Sequence, residues 1–232
     1  RGNQHMSGLD VHHKREFHLF RWLLLLAVLA LLGAYAYYGF RWFKTGELSP
    51  LPLPVAAADG KVNEAKISRE HVEAYTVAKN EPRYLVMDDF LVKARVQKAG
   101  LDTRKMFTMP NSLDDVVWYE KSTAPSGKAF GAAVITGRNT GISRDGTFSK
   151  LKKLEKRDVI KIERGDGQVI KYEVRDIKEE PLAEFNKTGM TEVMTSMDNM
   201  KEGLSLVADS GKWIPSQNEF DSRIVVRAVA VK

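Results

Sequence analysis

The chain has no cysteine. That excludes a disulfide framework, a thiolate nucleophile and any thiolate metal site. Histidine is scarce and lopsided: all five residues (His5, His12, His13, His18 and His71) lie before Pro82. From Pro82 to Lys232 there is neither Cys nor His, which removes most routes to nucleophilic, general-base or metal chemistry near neutral pH. No metal or cofactor is expected. The net charge of +6 is modest; it suits a surface facing anionic lipid or wall polymer. With no interleaving of basic and aromatic residues, it gives no case for nucleic acid.

One segment lacks charge altogether. Trp22 to Phe40 runs uncharged, close to the ~20 apolar residues that span a hydrocarbon core. Trp22 marks one edge, and Tyr37, Tyr38, Phe40 and Trp42 crowd the other, in the manner of interfacial aromatic belts. Lys14, Arg15 and Arg21 precede the span, and Arg41 and Lys44 follow it. A single-pass anchor with the N-terminus inside the cell is expected, with the rest of the chain extracytoplasmic. Ala34-Tyr35-Ala36 imitates a signal-peptide cleavage site, but the bulky tyrosines and flanking cations suit an anchor better. Arg1 to His5 precede Met6 and are set aside as appended or trimmed residues.

These features divide the chain into a cytoplasmic segment 1–21, a transmembrane helix 22–40, a linker 41–81 and a folded domain 82–232. The linker opens on the stiff Ser49-Pro50-Leu51-Pro52-Leu53-Pro54 spacer, and Ser68 with Glu70 starts a short helix towards Tyr75. Beyond Pro82, short β-branched runs dominate: 84–87, 90–96, 132–136, 159–163, 169–174, 204–208 and 224–231. Arg164-Gly165-Asp166-Gly167-Gln168 reads as a hairpin connection. Helical signals are short, over 111–116, 147–154 and 191–201. The fold class is mainly β, a closed barrel or sandwich with short helices.

Several stretches in order resemble the sortase family. Pro82-Arg83-Tyr84-Leu85 and Lys93-Ala94-Arg95-Val96 look like the start of its barrel. Asp114 to Tyr119 with Trp118, then Pro125-Ser126-Gly127 and Gly131, looks like its W-(Y)-x-x-s-x-x-P-G-x-x-G stretch. Ala133 to Gly137 is similar to the strand entering its Gly-His. Gly146 to Ile160 is similar to its G-x-F-x-x-L-x-x-L-x-x-G-D-x-I. Leu204 to Gly211 is similar to L-T-L-x-T-C-x-G, and Asp221 to Val226 to the closing strand that bears an arginine.

The resemblance implies a sortase-like closed β-barrel behind an N-terminal anchor. It also implies a transpeptidase site in which a thiolate attacks the scissile carbonyl, a histidine protonates the leaving amine and an arginine steadies the oxyanion. Here the cysteine position is Asp209 and the histidine position Arg138; only Arg223 is matched. Arg138 stays protonated and cannot shuttle a proton. Ser210, next to Asp209, has no histidine or carboxylate pair in view to activate it and reads as a turn residue.

The expected function is therefore that of a non-catalytic member. It would bind a sorting-signal-like peptide or surface protein, or support an active sortase, with Arg138, Asp209, Arg223 and Trp118 as cleft residues. The rivals are a transpeptidase or hydrolase working through Asp209, and a structural envelope protein with a vestigial cleft. Charge complementarity predicts Asp209 within ~4 Å of Arg138 or Arg223, with a lowered carboxyl pKa.

Of the remaining motifs, Asp88-Asp89 and Asp114-Asp115 read as turn and helix-start acids, because their spacing is wrong for calcium. Lys150, Lys152, Lys153, Lys156 and Arg157 read as a solvated face. Met190, Met194, Met197 and Met200 read as a core-facing stripe, with a partner-binding groove as the rival.

Overall fold

The computed structural model describes residues 14–50, 58, 60–128 and 130–232. The chain divides into two compact units, Arg1–Pro54 and Val55–Lys232. In the first, helix α1 runs Lys14–Thr45. Its Leu19–Thr45 portion has a mean hydropathy of 2.1, long and apolar enough to cross a membrane.

The second unit is a closed barrel. In chain order its strands are β1 (Pro82–Met87), β2 (Val92–Ala99), β3 (Val116–Tyr119), β4 (Ala132–Gly137), β5 (Val159–Arg164), β6 (Val169–Pro181), β7 (Gly203–Ile214) and β8 (Glu219–Val231). They close in the order β1-β2-β3-β4-β7-β8-β6-β5. Closure removes the unpaired edges that an open sheet would expose. The β2–β3 and β4–β7 pairs are parallel, so long connections must run outside the barrel.

Side chains alternate along each strand, and the alternation decides what fills the barrel. Ala133 and Ile135 of β4, Leu206 and Ala208 of β7 and Ile224 and Val226 of β8 point into the main core, with Leu85, Ile160 and Tyr172. Their neighbours Val134, Val207 and Val225 point outwards. They are covered by Phe107 from the β2–β3 loop and by Phe185 and Val193 from the β6–β7 connection. The β4–β7–β8 face is thus buried on both sides, which explains its near-continuous hydrophobic sequence.

Residues ahead of Pro82 also pack on the barrel. Ala58 is buried with Trp213 and Phe220, and the Glu64 carboxylate accepts the amides of Ile142 and Ser143. The short helix α2 (Arg69–Glu73) is capped by Ser68, where the sequence places it.

Three expected helices do not form as expected. Residues 111–116 are an irregular turn leading into β3, and 147–154 contains only a 3-10 turn, Leu151–Lys153. The helical turns between β6 and β7 come earlier than 191–201. They are Leu182–Glu184 and Met190–Glu192, joined by a π-helical stretch, Phe185–Gly189. Burial explains the shift: Phe185 and Val193 seat on the barrel's outer face, and tertiary packing overrides local propensity. The methionine stripe splits for the same reason. Met190 and Met194 pack on that cluster, whereas Met197 and Met200 are exposed.

Candidate functional site

Register places the site. In the β7–β8 ladder Asp209 lies directly opposite Arg223, and in the parallel β4–β7 ladder Gly137 lies opposite Ala208. Arg138, one residue past β4, therefore arrives beside Asp209. All three side chains leave the outer face, in phase with Thr136, Val207 and Val225. Asp209 lies within β7 and Arg223 within β8, because both strands run on past the site into a long hairpin.

Gly146 makes the turn at Arg138 possible. A Cβ there would sit 2.2 Å from the Arg138 carbonyl oxygen, an overlap that no side chain tolerates. That carbonyl instead accepts the Phe148 amide at 2.9 Å.

Asp209 is only 1% exposed. Its Oδ2 accepts from Arg138 Nη1 at 3.0 Å, and its Oδ1 lies 3.3 Å from Arg223 Nη1. The second contact is an ion pair without hydrogen-bond geometry. Arg138 also donates Nε–H to the Pro110 carbonyl at 3.1 Å. Arg223 reaches Glu219 at 2.6 Å, Glu219 reaches Arg104 at 2.8 Å, and Arg104 reaches Asp102 at 3.1 Å. Three carboxylates and three guanidiniums thus alternate in one chain, from the β2–β3 loop across the β7–β8 hairpin to the end of β4.

Beside this chain is a cavity of about 190 Å³. Thr136 and Val207 line it from the sheet, Phe107 and Phe185 from the covering segments, and Arg138 and Arg223 at the charged end. Asp209 is not part of its lining.

The expected proximity of Asp209 to the arginines is thus met on both sides, but the expected direction of its pKa is not. Burial pushes the Asp209 carboxyl above its ordinary range, against the opposite pull of Arg223 and Arg138. The reason is depth: removing nearly all water from a carboxylate outweighs two flanking cations. The sign of the pH dependence follows. Between the unfolded value, ~3.9, and the raised folded one, the folded state binds more protons, so Asp209 makes stability fall as pH rises through that window. Denaturant midpoints of the wild type and Asp209→Asn, taken from pH ~4 to neutrality, should differ by this fall. A difference of opposite slope would show that the arginines win.

The other candidates separate from the site. Trp118 is buried in the barrel interior and donates Nε1–H to the Thr123 carbonyl at 3.3 Å, so it does not join the cleft. Ser210, expected to lack a carboxylate, donates its hydroxyl to Glu179, which also accepts Lys152 Nζ at 2.8 Å. These contacts lower the Glu179 pKa, Lys152 first, so it is a poor base for the hydroxyl. Asp115 is held bidentate by Arg95 at 2.9 Å, Asp114 pairs with Arg144 and Asp88 with Lys161. Among the described residues no group of acidic and histidine side chains is arranged for a metal.

The sortase domain profile matches residues 85–231. This chain belongs to the sortase family. Among solved structures, sortase C of Streptococcus pneumoniae is 16% identical over 87% of this chain and 88% of that one, with a TM-score of 0.50. Sortase C-1 of Actinomyces oris is 18% identical over 88% and 98%, with a TM-score of 0.49. Sortase A of Corynebacterium diphtheriae is 19% identical over 87% and 82%, also with a TM-score of 0.49. At such identities a likeness speaks for the fold alone. No curated protein sequence matches the chain.

Within this sortase-family barrel, sequence reasoning missed Glu219, Arg104 and Asp102. Glu219 carried a signal: four residues before Arg223 on one strand, it shares a face with it. The two loop residues carried none, since only the fold brings them near.

Proposed function

We propose that this sortase-family chain is a non-catalytic cell-envelope protein. Its helix α1 anchors it with the N-terminus inside the cell, segment 41–81 links the anchor to the domain, and domain 82–232 lies outside. The covered β4–β7 face with its cavity holds a sorting-signal-like peptide or surface protein, in support of surface assembly or of an active sortase.

One observation carries the reading. The position at which the resemblance implies a thiolate is a carboxylate, buried and held between two guanidiniums. A group so placed reaches no substrate carbonyl, and neither neighbour can deliver a proton to a leaving amine. The apolar cavity wall and the charged end supply recognition without chemistry.

The full chain in detergent, given a Leu-Pro-any-Thr-Gly peptide and a glycine nucleophile, should bind the peptide and yield neither cleavage nor transfer product. Turnover that survives purification and disappears in Asp209→Asn would establish the hydrolytic alternative instead.

A further inference from the structure

A second built feature lies at the other mouth of the barrel, roughly 20 Å from Asp209 along β7 at ~3.3 Å per residue. Glu202, just ahead of β7, is fully buried. Its carboxylate accepts the Ser126 amide at 3.0 Å, the Ser126 hydroxyl at 2.6 Å, the Lys128 amide at 3.2 Å and the Tyr172 hydroxyl. Burial, and then the charge of Glu202, push the Tyr172 phenol far upwards, so it stays a donor. This clip fixes the loop that carries Lys128 against the starts of β6 and β7.

Beside the clip is a cleft of about 690 Å³, floored by Ile170 and Ala230 and rimmed by Lys128, Lys171 and Lys201. An adjoining cleft of about 530 Å³ shares Met200 with it. The two make one elongated groove with Met200 as its ridge. That side chain is 86% exposed, an unusual state for an apolar residue at the centre of a groove. Among the described residues none of the three lysines pairs with a carboxylate. Two carboxylates also belong to the lining: Glu202, held in the clip, and Asp198, which accepts the Met200 amide at 2.9 Å.

We infer that this groove docks an extended acidic segment of a partner protein, with an apolar side chain of that segment seated against Met200 and Ile170. Charge complementarity names the acid, because Lys128, Lys171, Lys201 and Lys232 line the first cleft and Arg175 the second, outnumbering the carboxylates of Glu202 and Asp198. Concavity argues for a polypeptide segment: a planar lipid surface would meet the Met200 ridge without reaching the buried Ile170 and Ala230 in the cleft beside it, whereas an extended segment can seat a side chain on all three. Methionine suits the contact, since its unbranched thioether adapts to varied side chains. This inference is independent of the peptide reading at Arg138 and Arg223.

The test uses the full chain in phosphatidylcholine nanodiscs and a labelled synthetic peptide of alternating glutamate and leucine, followed by fluorescence anisotropy. Binding should weaken as salt is raised. It should fall by about tenfold in Lys171→Glu/Lys201→Glu, where two rim charges reverse, and remain unchanged in Lys156→Glu elsewhere on the barrel. Amide hydrogen exchange should slow at 169–171 and 197–201 only when the peptide is present. Equal binding of a lysine–leucine peptide, or indifference to the double reversal, would overturn the proposal. Protection of the same segments by phosphatidylglycerol nanodiscs without peptide would overturn it in favour of a lipid surface.

Discussion

Asp209→Ala is expected to lower the unfolding free energy of the barrel by about 3 kcal/mol near neutrality, the lower end of the range for breaking a buried ion pair. The loss falls on the arginines. Arg223 is 4% exposed and keeps Glu219, and both it and Arg138 lose the carboxylate that stands between their like charges. Arg138→Met with Asp209→Leu should recover most of the loss, because an apolar pair of similar volume requires no desolvated charge. Denaturant unfolding of the full chain in detergent measures both. A loss under ~1 kcal/mol for the single variant would mean that water reaches Arg138 and that the pair behaves as a surface one.

The second large effect is a gain. Asp209→Cys should leave peptide cleavage at background, because a thiolate between two guanidiniums still lacks a donor for the leaving amine. Adding Arg138→His exchanges a guanidinium that closes over position 209 for a shorter side chain that titrates near neutrality. With the position opened and a proton donor in place, cleavage should rise by about two orders of magnitude, a usual contribution of general acid catalysis. The readout is release of the Thr-Gly fragment from a labelled sorting-signal peptide. A single Cys variant as active as the double one would show that Arg138 is no obstacle to the chemistry.

Much of this was legible in the sequence for physical reasons. β-branched runs mark the strands because a pleated, half-buried surface selects them, and all seven expected runs lie wholly or largely in strands. The short β3 was hidden inside the Trp118 stretch. Strand length was underestimated in β6, β7 and β8 because their ends turn polar where they leave the core. Arg138, Asp209 and Arg223 were found as a set because register is a long-range regularity that the family motifs preserve. Arg157 falls at the glycine position of one such motif and has a positive φ of 83°, the backbone conformation that glycine adopts most readily. What could not be read was depth. The pKa of Asp209 depends on how completely the folded chain excludes water from it, and no local pattern reports that.

The alternating charge chain from Asp102 to Arg138 also constrains the order in which the sequence can change. Each member neutralises a neighbour, so replacing any one of the inner four leaves an opposite charge without one of its counterions. A route to a cysteine and a histidine at these two positions passes through Asp209→Cys or Arg138→His as a lone first step. The first leaves two guanidiniums without their shared carboxylate, and the second leaves Asp209 leaning on Arg223 alone. Each lone step is expected to lower stability below that of this chain and to leave cleavage at background. Such a change therefore needs two coupled substitutions, and the positions joined in this chain should be found to vary together, as compensating pairs, across lineages that share the barrel.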